Sequence, residues 1–325
     1  MPEASMLDPH IRPVQLRYDL NQIADLIEIC FGPYLDAEGK DYVRHIRRAP
    51  RDYDRFILDN STPESSFLPF HGYVWVEGKK IIGNLTLILI RRKMKHAYFI
   101  ANVAVHPDFR GQGIARKLTD TAIAHVGQHG GRTIYLQVRS ENEIAQKLYL
   151  THGFAEMTRR TQWIFRPGQE YNAQPLPAIS IRRRKRSDWN QQLDWLKDVY
   201  PPEIAWNLPT NFTKLEPGFL NCLDQLFKGS INRTWVAYQD EKMIGTGTLV
   251  QRGEPSDYLW LGTSPVWEDL SILSLLPVVQ QHMLAPHKLT VNYPAGRGLD
   301  AFRKVGMVEL NTLIWMKRAI EGKSL

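Results

Sequence analysis

The order of strand-like and helix-like segments in the first half of the chain begins again after about residue 179. Three segments recur in the same order, and the pairs are 11–33 with 179–202, 72–90 with 233–251, and 134–154 with 289–307. This alignment matches Gly83 with Gly245 and Gly153 with Gly306. A single likeness arises readily by chance, but three in one order indicate duplication of a whole domain. The 325 residues are therefore predicted to hold two copies of one fold.

Each copy alternates strand and helix patterns, which indicates a domain of the α/β (α+β) class. In the first copy, three strands follow two helices and connect through turns at "GKK" and "RRKMKH". The stretch "RPGQEYNAQPLPA" after the last strand is rich in Pro and polar residues, as linkers are. We predict one domain at 1–167, a linker at 168–178 and a second domain at 179–325.

The sequence holds no apolar run long enough to span a membrane, and its net charge does not identify the partner. The richest apolar run, "IIGNLTLILI", is ten residues long, well short of a bilayer-crossing helix. The N-terminus lacks the basic and apolar regions of a secretory signal, so we expect a cytoplasmic protein. Cys30 and Cys222 have no metal-type spacing, so we expect reduced thiols and no metal. The net charge of +7 favours anionic partners, and a phosphorylated cofactor satisfies it as well as a nucleic acid does.

The segment "VHPDFRGQGIARKL", residues 105–118, places a Gly-x-Gly loop between a strand and a helix start. The first backbone N–H groups of a helix have no intrahelical partner, and the helix dipole favours negative charge there. Gly111 and Gly113 allow close approach of a ligand, and Arg110 adds a charge. A dinucleotide fingerprint requires a third glycine where this chain has Arg116, and the Gly-Lys-Ser/Thr of a nucleotide P-loop is absent. The loop thus predicts an anion site without identifying the anion.

The wider context resembles the GNAT superfamily of acyl-CoA N-acyltransferases. The resemblance rests on "NVAVHPDFRGQGIA" followed by "LQVRSENEIAQKLYLTHGF", with Asn142 opening a helix and Tyr149 within it. It is strongest over residues 97–155 and looser over the rest of the first copy. It implies two tandem domains, each a mixed, mostly antiparallel twisted sheet flanked by helices, the second one degenerate. It also implies an acetyl-CoA-dependent N-acetyltransferase.

The resemblance carries over a set of cofactor contacts. In the family, the strand before the loop separates from the next strand, the pantetheine of acetyl-CoA lies between them, and the pyrophosphate meets the loop amides. The corresponding positions are Val103, Ala104, Val105, Arg110, Gly111, Gln112, Gly113, Ile114, Ala115, Arg116 and Asn142.

The resemblance also implies direct transfer of the acetyl group to a neutral amine. Tyr149 corresponds to the tyrosine that protonates the leaving thiolate, and a backbone N–H near Val103 is placed to stabilise the oxyanion. Several relatives carry a glutamate at the position of Gln137, which cannot accept a proton. Four alternatives for the base stay open: a water chain, His96, an acid such as Asp36 or Glu38, or an acceptor of low pKa.

The second copy lacks the glycine loop, and Phe302 stands where the first copy has Tyr149, so we predict that it binds no cofactor and either is structural or helps to form the acceptor pocket. The acceptor is a small-molecule or peptide amine that the sequence does not identify, and the chain is expected to be a monomer or homodimer. Two other functions compete with catalysis. One is a non-catalytic acyl-CoA sensor, and the other is an RNA-associated protein using basic runs such as "IRRRKRSD". We expect no nucleic-acid or membrane partner.

Overall fold

The computed structural model describes residues 8–35, 37–58, 71–90, 96–166, 176, 178–218, 221, 229–252, 256–283 and 287–320, without the side chains of 37–38 and 50–58. The elements of the first half are β1 (Ile11–Pro13), α1 (Leu16–Phe31), α2 (Ala37–Leu58), β2 (Gly72–Glu77), β3 (Lys80–Ile90), β4 (Ala97–Val105), α3 (Ile114–Gln128), β5 (Thr133–Arg139), α4 (Glu143–Thr151) and β6 (Ala155–Phe165). Those of the second half are β7 (Ser180–Arg183), α5 (Trp189–Val199), α6 (Pro202–Ala205), β8 (Ile231–Gln239), β9 (Lys242–Gln251), β10 (Ser256–Thr263), α7 (Glu268–Gln280), β11 (Lys288–Pro294), α8 (Leu299–Lys304) and β12 (Val308–Ala319).

The chain packs into two compact units. The residues in each unit differ from those expected with a domain boundary at 167. The first unit holds residues 1–157 and 314–325, and the second holds 158–313. Most of β6 therefore packs with the second half of the chain, where it pairs antiparallel with β11 from Leu289↔Phe165 to Pro294↔Arg160. The reason is that a strand belongs to the sheet with which it hydrogen-bonds, and an alternating sequence pattern does not specify that partner. Most of the predicted linker lies outside the described residues.

In the first unit the sheet runs β1-β2-β3-β4-β5 and takes the end of β12 beside β5. The strand pairs from β1 to β4 are antiparallel, and β4 pairs with β5 in parallel. The side chains of one sheet face pack with α3 and α4, and those of the other pack with α1 and α2. Adjacent residues of β2 show this division. Trp75 packs on the face covered by α3 and α4, and Val74 packs on the face covered by α1 and α2.

The second unit repeats this plan with β11-β10-β9-β8-β7, and β10 again pairs in parallel with its neighbour β11. The matched glycines have matching physical causes. A Cβ on Gly83 would lie 2.9 Å from Ile114, and one on Gly245 would lie 2.5 Å from Ser271, so in both units a helix packs closely on a strand. Gly153 and Gly306 follow the corresponding helices at φ +76° and +78°. These positions confirm the duplication and the mixed, mostly antiparallel fold of each copy.

Candidate active site

The strands β4 and β5 separate part of the way along their length. They pair from Ala97↔Thr133 to Ile100↔Leu136, after which β4 continues to Val105 and β5 to Arg139. Val103, Ala104 and Val105 lie on the separated part of β4. In regular pairing these residues would bond to β5, so the separation exposes an edge of strand backbone on which an extended ligand can form hydrogen bonds.

A glycine loop follows directly and opens onto α3. Gly111 and Gly113 have φ of +78° and +79°, and a Cβ on either would meet nothing within 4 Å. The first helical bond of α3 runs from the Lys117 N–H to the Gly113 carbonyl, which leaves the N–H groups of residues 114–116 without intrahelical acceptors. The loop therefore has the open backbone and the unpaired donors that a pyrophosphate requires.

The side chain of Arg110 lies beside the end of β4. The backbone N–H of Arg110 donates to the Pro107 carbonyl at 3.2 Å and so is already used in a turn. Its Nε donates to the Val105 carbonyl at 3.2 Å, which brings the guanidinium back to the end of β4. The Cys30 thiol donates to the same carbonyl at 3.2 Å. Arg116, in the first turn of α3, is exposed. The structure thus supplies positive charge on both sides of the loop.

Asn142 is the N-cap of α4. Its Oδ1 accepts a hydrogen bond from the Ala145 N–H at 3.1 Å, and the side chain is exposed. Capping alone explains an asparagine here, since Asn is among the preferred N-cap residues. Its contact with a cofactor stays a prediction.

Tyr149 lies on α4 and is 6% exposed. Its ring meets that of Phe154 edge-on at a centroid distance of 5.8 Å. It belongs to the same apolar cluster as Val138 of β5, and Val103 and Val105 of β4 pack against that cluster. The tyrosine is therefore grouped with the two separated strand segments. Burial raises the pKa of Tyr149 above the ordinary value for a phenol, so its hydroxyl stays protonated and remains a donor.

The candidates for the general base differ in how far they lie from the separated ends of β4 and β5. His96 precedes β4 at its closed end, seven residues before Val103, which is about 23 Å along an extended strand. His96 is thus too distant to act at the separated end. Gln137 lies on the separated part of β5 and is half-buried. Asp36 and the side chain of Glu38 lie outside the described residues. Within the described ranges, no group of three or more His, Cys, Asp and Glu is arranged to hold a metal.

A polar network that the sequence patterns did not predict lies beside the separated strands. Asn102 donates from Nδ2 to the Tyr42 hydroxyl at 2.6 Å and to Thr86 Oγ1 at 3.4 Å. Asn84 donates from Nδ2 to the Asn102 carbonyl at 2.9 Å, and both Asn84 and Thr86 are fully buried. A signal for this network is present in the sequence, because Asn84, Thr86 and Asn102 are polar residues within the mostly apolar strands "GNLTLILI" and "FIANVAV".

The second unit has the same strand separation, but its own side chains close it. The pairing of β10 with β11 ends at Tyr258↔Thr290, and both strands continue beyond it. Across this gap the Tyr293 hydroxyl and Thr263 Oγ1 are 2.8 Å apart, and Tyr293 is fully buried. Phe302, also fully buried, stacks on Trp163 at 5.0 Å.

The helix start of the second unit also opposes anion binding. The first turn of α7 carries Glu268 and Asp269, whereas that of α3 carries Arg116. Glu268 already pairs with Arg297 at 2.9 Å. Carboxylates at this position satisfy the helix dipole and repel a phosphate.

We therefore expect a single CoA to bind per chain. Isothermal titration of the full chain with CoA should give a stoichiometry near one. The same titration of Gly113→Ala should weaken the observed binding as a whole, with no unaffected second phase. A stoichiometry near two would show that the second unit also binds.

The basic run at 181–186 packs against aromatic rings of its own unit. Arg182 lies 3.7 Å from the ring centre of Tyr238, and Arg183 lies 4.9 Å from that of Trp235. Arg184 lies 5.4 Å from the ring centre of Trp189. Cation–π contacts of this kind account for the arginines within the unit itself. Among the described helices, none has both the length and the apolar character of a bilayer-spanning segment.

The fold and site define a class of protein. A parallel strand pair that separates beside a glycine loop and a helix start, with a buried tyrosine on the next helix, is the arrangement that the sequence resemblance implied for acyl-CoA acyltransferases. Residues 25–154 match the model of the acetyltransferase (GNAT) family. The matched residues lie in the first unit, which is therefore the part of the chain that is similar to the GNAT family.

Characterised relatives match part of the chain. The [ribosomal protein bS18]-alanine N-acetyltransferase of Haemophilus ducreyi is 42% identical over 73 residues, which are 22% of this chain and 50% of that protein. The N-alpha-acetyltransferase RimI of Mycobacterium tuberculosis is 26% identical over 143 residues, 42% of this chain and 84% of that protein. The chain spans about half the length of the bS18-alanine relatives that it matches.

Solved structures resemble the whole chain in fold. A GCN5-related N-acetyltransferase from Sphaerobacter thermophilus superposes with a TM-score of 0.61 at 14% identity, covering 98% of this chain and 99% of that one. A tandem GNAT protein from the clavulanic acid biosynthesis pathway gives a TM-score of 0.52 at 14% identity, covering 97% and 99%. The fold is therefore that of two GNAT-type domains in tandem.

Proposed function

We propose that the first unit is an acetyl-CoA-dependent N-acetyltransferase whose acceptor is the α-amino group of a peptide or protein. The observation that supports cofactor binding most directly is the separation of β4 from β5 next to the open Gly111–Gly113 loop. The exposed strand edge suits the amides of pantetheine, and the unpaired N–H groups at the start of α3 suit a pyrophosphate. Acetyl-CoA supplies the thioester that is the acetyl donor.

The proposed reaction is a direct attack by the neutral amine on the thioester carbonyl. The new N–C bond forms, the C–S bond breaks and the sulfur leaves with the electron pair. The nitrogen releases one proton to solvent, and the general acid that protonates the sulfur regains its proton from solvent. The Val103 N–H donates a hydrogen bond to the oxygen that becomes negative. Tyr149, kept protonated by burial, donates its proton toward the leaving sulfur.

The pKa of the acceptor amine is what favours an α-amino group. Gln137 cannot accept a proton, and β4 carries no Asp or Glu. Deprotonating an α-amine at pH 7 costs about 1 kcal/mol, whereas deprotonating a lysine side chain costs about 4–5 kcal/mol. Within the described residues, the two separated strands carry no carboxylate, and such a pair of strands suits the amine that is neutral more often. The names of two of the relatives, which describe alanine and N-alpha acetylation, agree with this choice.

Two matched peptides test this proposal. One has a free N-terminal alanine and no lysine, and the other has the same sequence with an acetylated N-terminus and one internal lysine. At pH 7 we expect kcat/KM for the free α-amine to exceed that for lysine by about 10²-fold or more, which follows from the difference in neutral fraction. The rate with the α-amine should rise with pH up to about 8 and then level off. The measurement is thiol release from acetyl-CoA.

Two outcomes would contradict the proposal in different ways. Equal or faster reaction of the lysine peptide would mean that a base outside the described residues removes the proton. Binding of CoA without turnover of either peptide, or of a panel of small amines, would favour the sensor function instead. A salt-sensitive RNA affinity that survives Gly113→Ala would favour the RNA-associated function.

A further inference from the structure

A β-bulge interrupts β4 within its separated part. Thr86 pairs with Ala101 and Asn84 pairs with Ala104, so Leu85 of β3 faces two residues of β4, Asn102 and Val103. Asn102 has a φ of +51°, in the left-handed region that few non-glycine residues adopt. Bulges re-aim backbone and side chains, and they are frequent beside active sites.

The orientation of one peptide group follows from the contact of Asn84. The Asn102 carbonyl accepts from Asn84 Nδ2 at 2.9 Å and so points toward β3. In a trans peptide the carbonyl and the following N–H point in opposite directions. The Val103 N–H therefore points away from Asn84. Since β4 lies between β3 and β5 in the sheet, the side of β4 away from β3 is the one on which β4 and β5 separate, and an N–H that points away from Asn84 is available to a ligand there.

The Asn102 side chain makes a second set of contacts that hold the same residue in place. Its amide reaches the Tyr42 hydroxyl at 2.6 Å on α2 and Thr86 Oγ1 at 3.4 Å on β3. Asn84 and Thr86 are fully buried, so the contacts that these two residues make are shielded from bulk water. A residue with positive φ persists in a strand when its surroundings hold it there. We call Asn84, Thr86, Asn102 and Tyr42 the bulge network.

We propose that Asn84 and Asn102 are positioning residues for the acetyl transfer, and that the bulge network holds the Val103 N–H toward the carbonyl oxygen of the thioester. This proposal rests on the N-acetyltransferase function proposed above. The two asparagines do not touch the reacting atoms. They act through the peptide between Asn102 and Val103, whose N–H gains its importance only as the oxygen becomes negative.

The test compares turnover with cofactor affinity in the full chain. Asn84→Ala removes the donor to the Asn102 carbonyl and leaves the sequence of β4 unchanged. We expect kcat to fall about 10- to 100-fold, below the loss seen when an oxyanion donor is removed altogether. The KM for acetyl-CoA and the Kd for CoA should stay within about threefold, because the strand edge and the glycine loop are intact.

Two further variants test the contacts of the Asn102 side chain. Asn102→Gly retains a residue that tolerates positive φ and removes the side-chain contacts, so kcat should fall by a similar factor. Tyr42→Phe removes one acceptor of Asn102 without changing either strand and should give a smaller loss of kcat. In combination with Asn102→Gly, it should add little, since both changes act on one contact. Asp240→Gly, at φ +46° in the β8–β9 turn, is the matched control and should leave kcat unchanged.

The outcomes separate this proposal from the proposed function. Wild-type turnover with kcat unchanged in both Asn84→Ala and Asn102→Gly would overturn the positioning role alone. Losses of CoA affinity as large as the losses of kcat would also overturn it, because they would indicate a general disturbance of the site. Absence of turnover in the wild-type chain would overturn the proposed function and this role together. If Asn102→Gly does not fold, Asn84→Ala and Tyr42→Phe decide the question.

Discussion

Replacing Tyr149 with phenylalanine is expected to lower kcat by about 10²-fold or more while the affinity for CoA stays within about threefold. The substitution removes one oxygen from a side chain that is 6% exposed and retains the ring that meets Phe154. The cofactor contacts proposed here are made by strand and loop backbone, which this change does not touch. The measurement is kcat from thiol release, together with the Kd for CoA from titration calorimetry.

The raised pKa of Tyr149 refines the expected size of this effect. A cysteine thiol has a pKa of about 8.5 and an ordinary phenol about 10, and burial raises the pKa of Tyr149 further above that of a thiol. Complete proton transfer to the thiolate is therefore uphill. Much of the stabilisation then comes from the hydrogen bond to the developing charge, and the loss should lie near the lower end of the 10²- to 10⁴-fold range for general acids, about 10²-fold.

The same shift determines how the rate depends on pH. A phenol whose pKa is raised by burial remains protonated as pH rises through 8 and 9. Ionisation of Tyr149 should therefore cause no loss of activity below about pH 10. The increase in rate on the acid side belongs to deprotonation of the acceptor amine, and it should persist in Tyr149→Phe with the same midpoint.

Tyr98→Phe is the matched control for Tyr149→Phe. Tyr98 lies on β4 at its closed end, where it pairs with Ile134, so the loss of its hydroxyl should leave kcat unchanged. If Tyr149→Phe retained the wild-type kcat, the α4 tyrosine would have a packing role only. If CoA affinity fell as much as kcat, the hydroxyl would act in binding rather than in the transfer step.

Replacing Gly113 with alanine is expected to weaken CoA binding by about 10- to 100-fold. At a φ of +79° an L-residue is strained by about 1–2 kcal/mol. A Cβ would meet nothing within 4 Å, so no packing clash obscures the effect. Relaxation of the strained backbone turns the first N–H groups of α3 away from a common ligand, and the methyl group stands where the backbone approaches the phosphates. Titration calorimetry with CoA measures the change.

Gly130 gives a matched control on the same helix. It lies just beyond the C-terminal end of α3 at a φ of +71°, and a Cβ there would also meet nothing within 4 Å. Gly130→Ala should therefore lower the melting temperature about as much as Gly113→Ala, without changing the Kd for CoA. Equal CoA affinities in the two variants would remove the glycine loop from the proposed pyrophosphate site.

Local features of the sequence predict several residues of the candidate site. Gly111 and Gly113 are recognisable because only glycine readily adopts their positive φ, and Tyr149 keeps a fixed helical spacing from Gly153. The repeated glycines Gly83 and Gly245 are likewise evident from the sequence repeat, and their close packing against a helix is the physical reason for them. The bulge network was not predicted, because its members come from α2, β3 and β4, and the contacts depend on a register shift that the residue pattern does not specify.

The sequence by itself determined the duplicated α/β plan, the glycine loop at the start of α3 and the loss of that loop in the second copy. These depend on short-range chemistry: turn residues, helix starts and the spacing of apolar positions. The tertiary structure alone decided that most of β6 packs with the second unit and the end of β12 with the first, where the Trp315 ring lies 6.2 Å from Phe99. It also decided where β4 leaves β5. Alternation along a strand specifies which face is buried, but the neighbour that completes its hydrogen bonds is chosen by packing between residues distant in sequence.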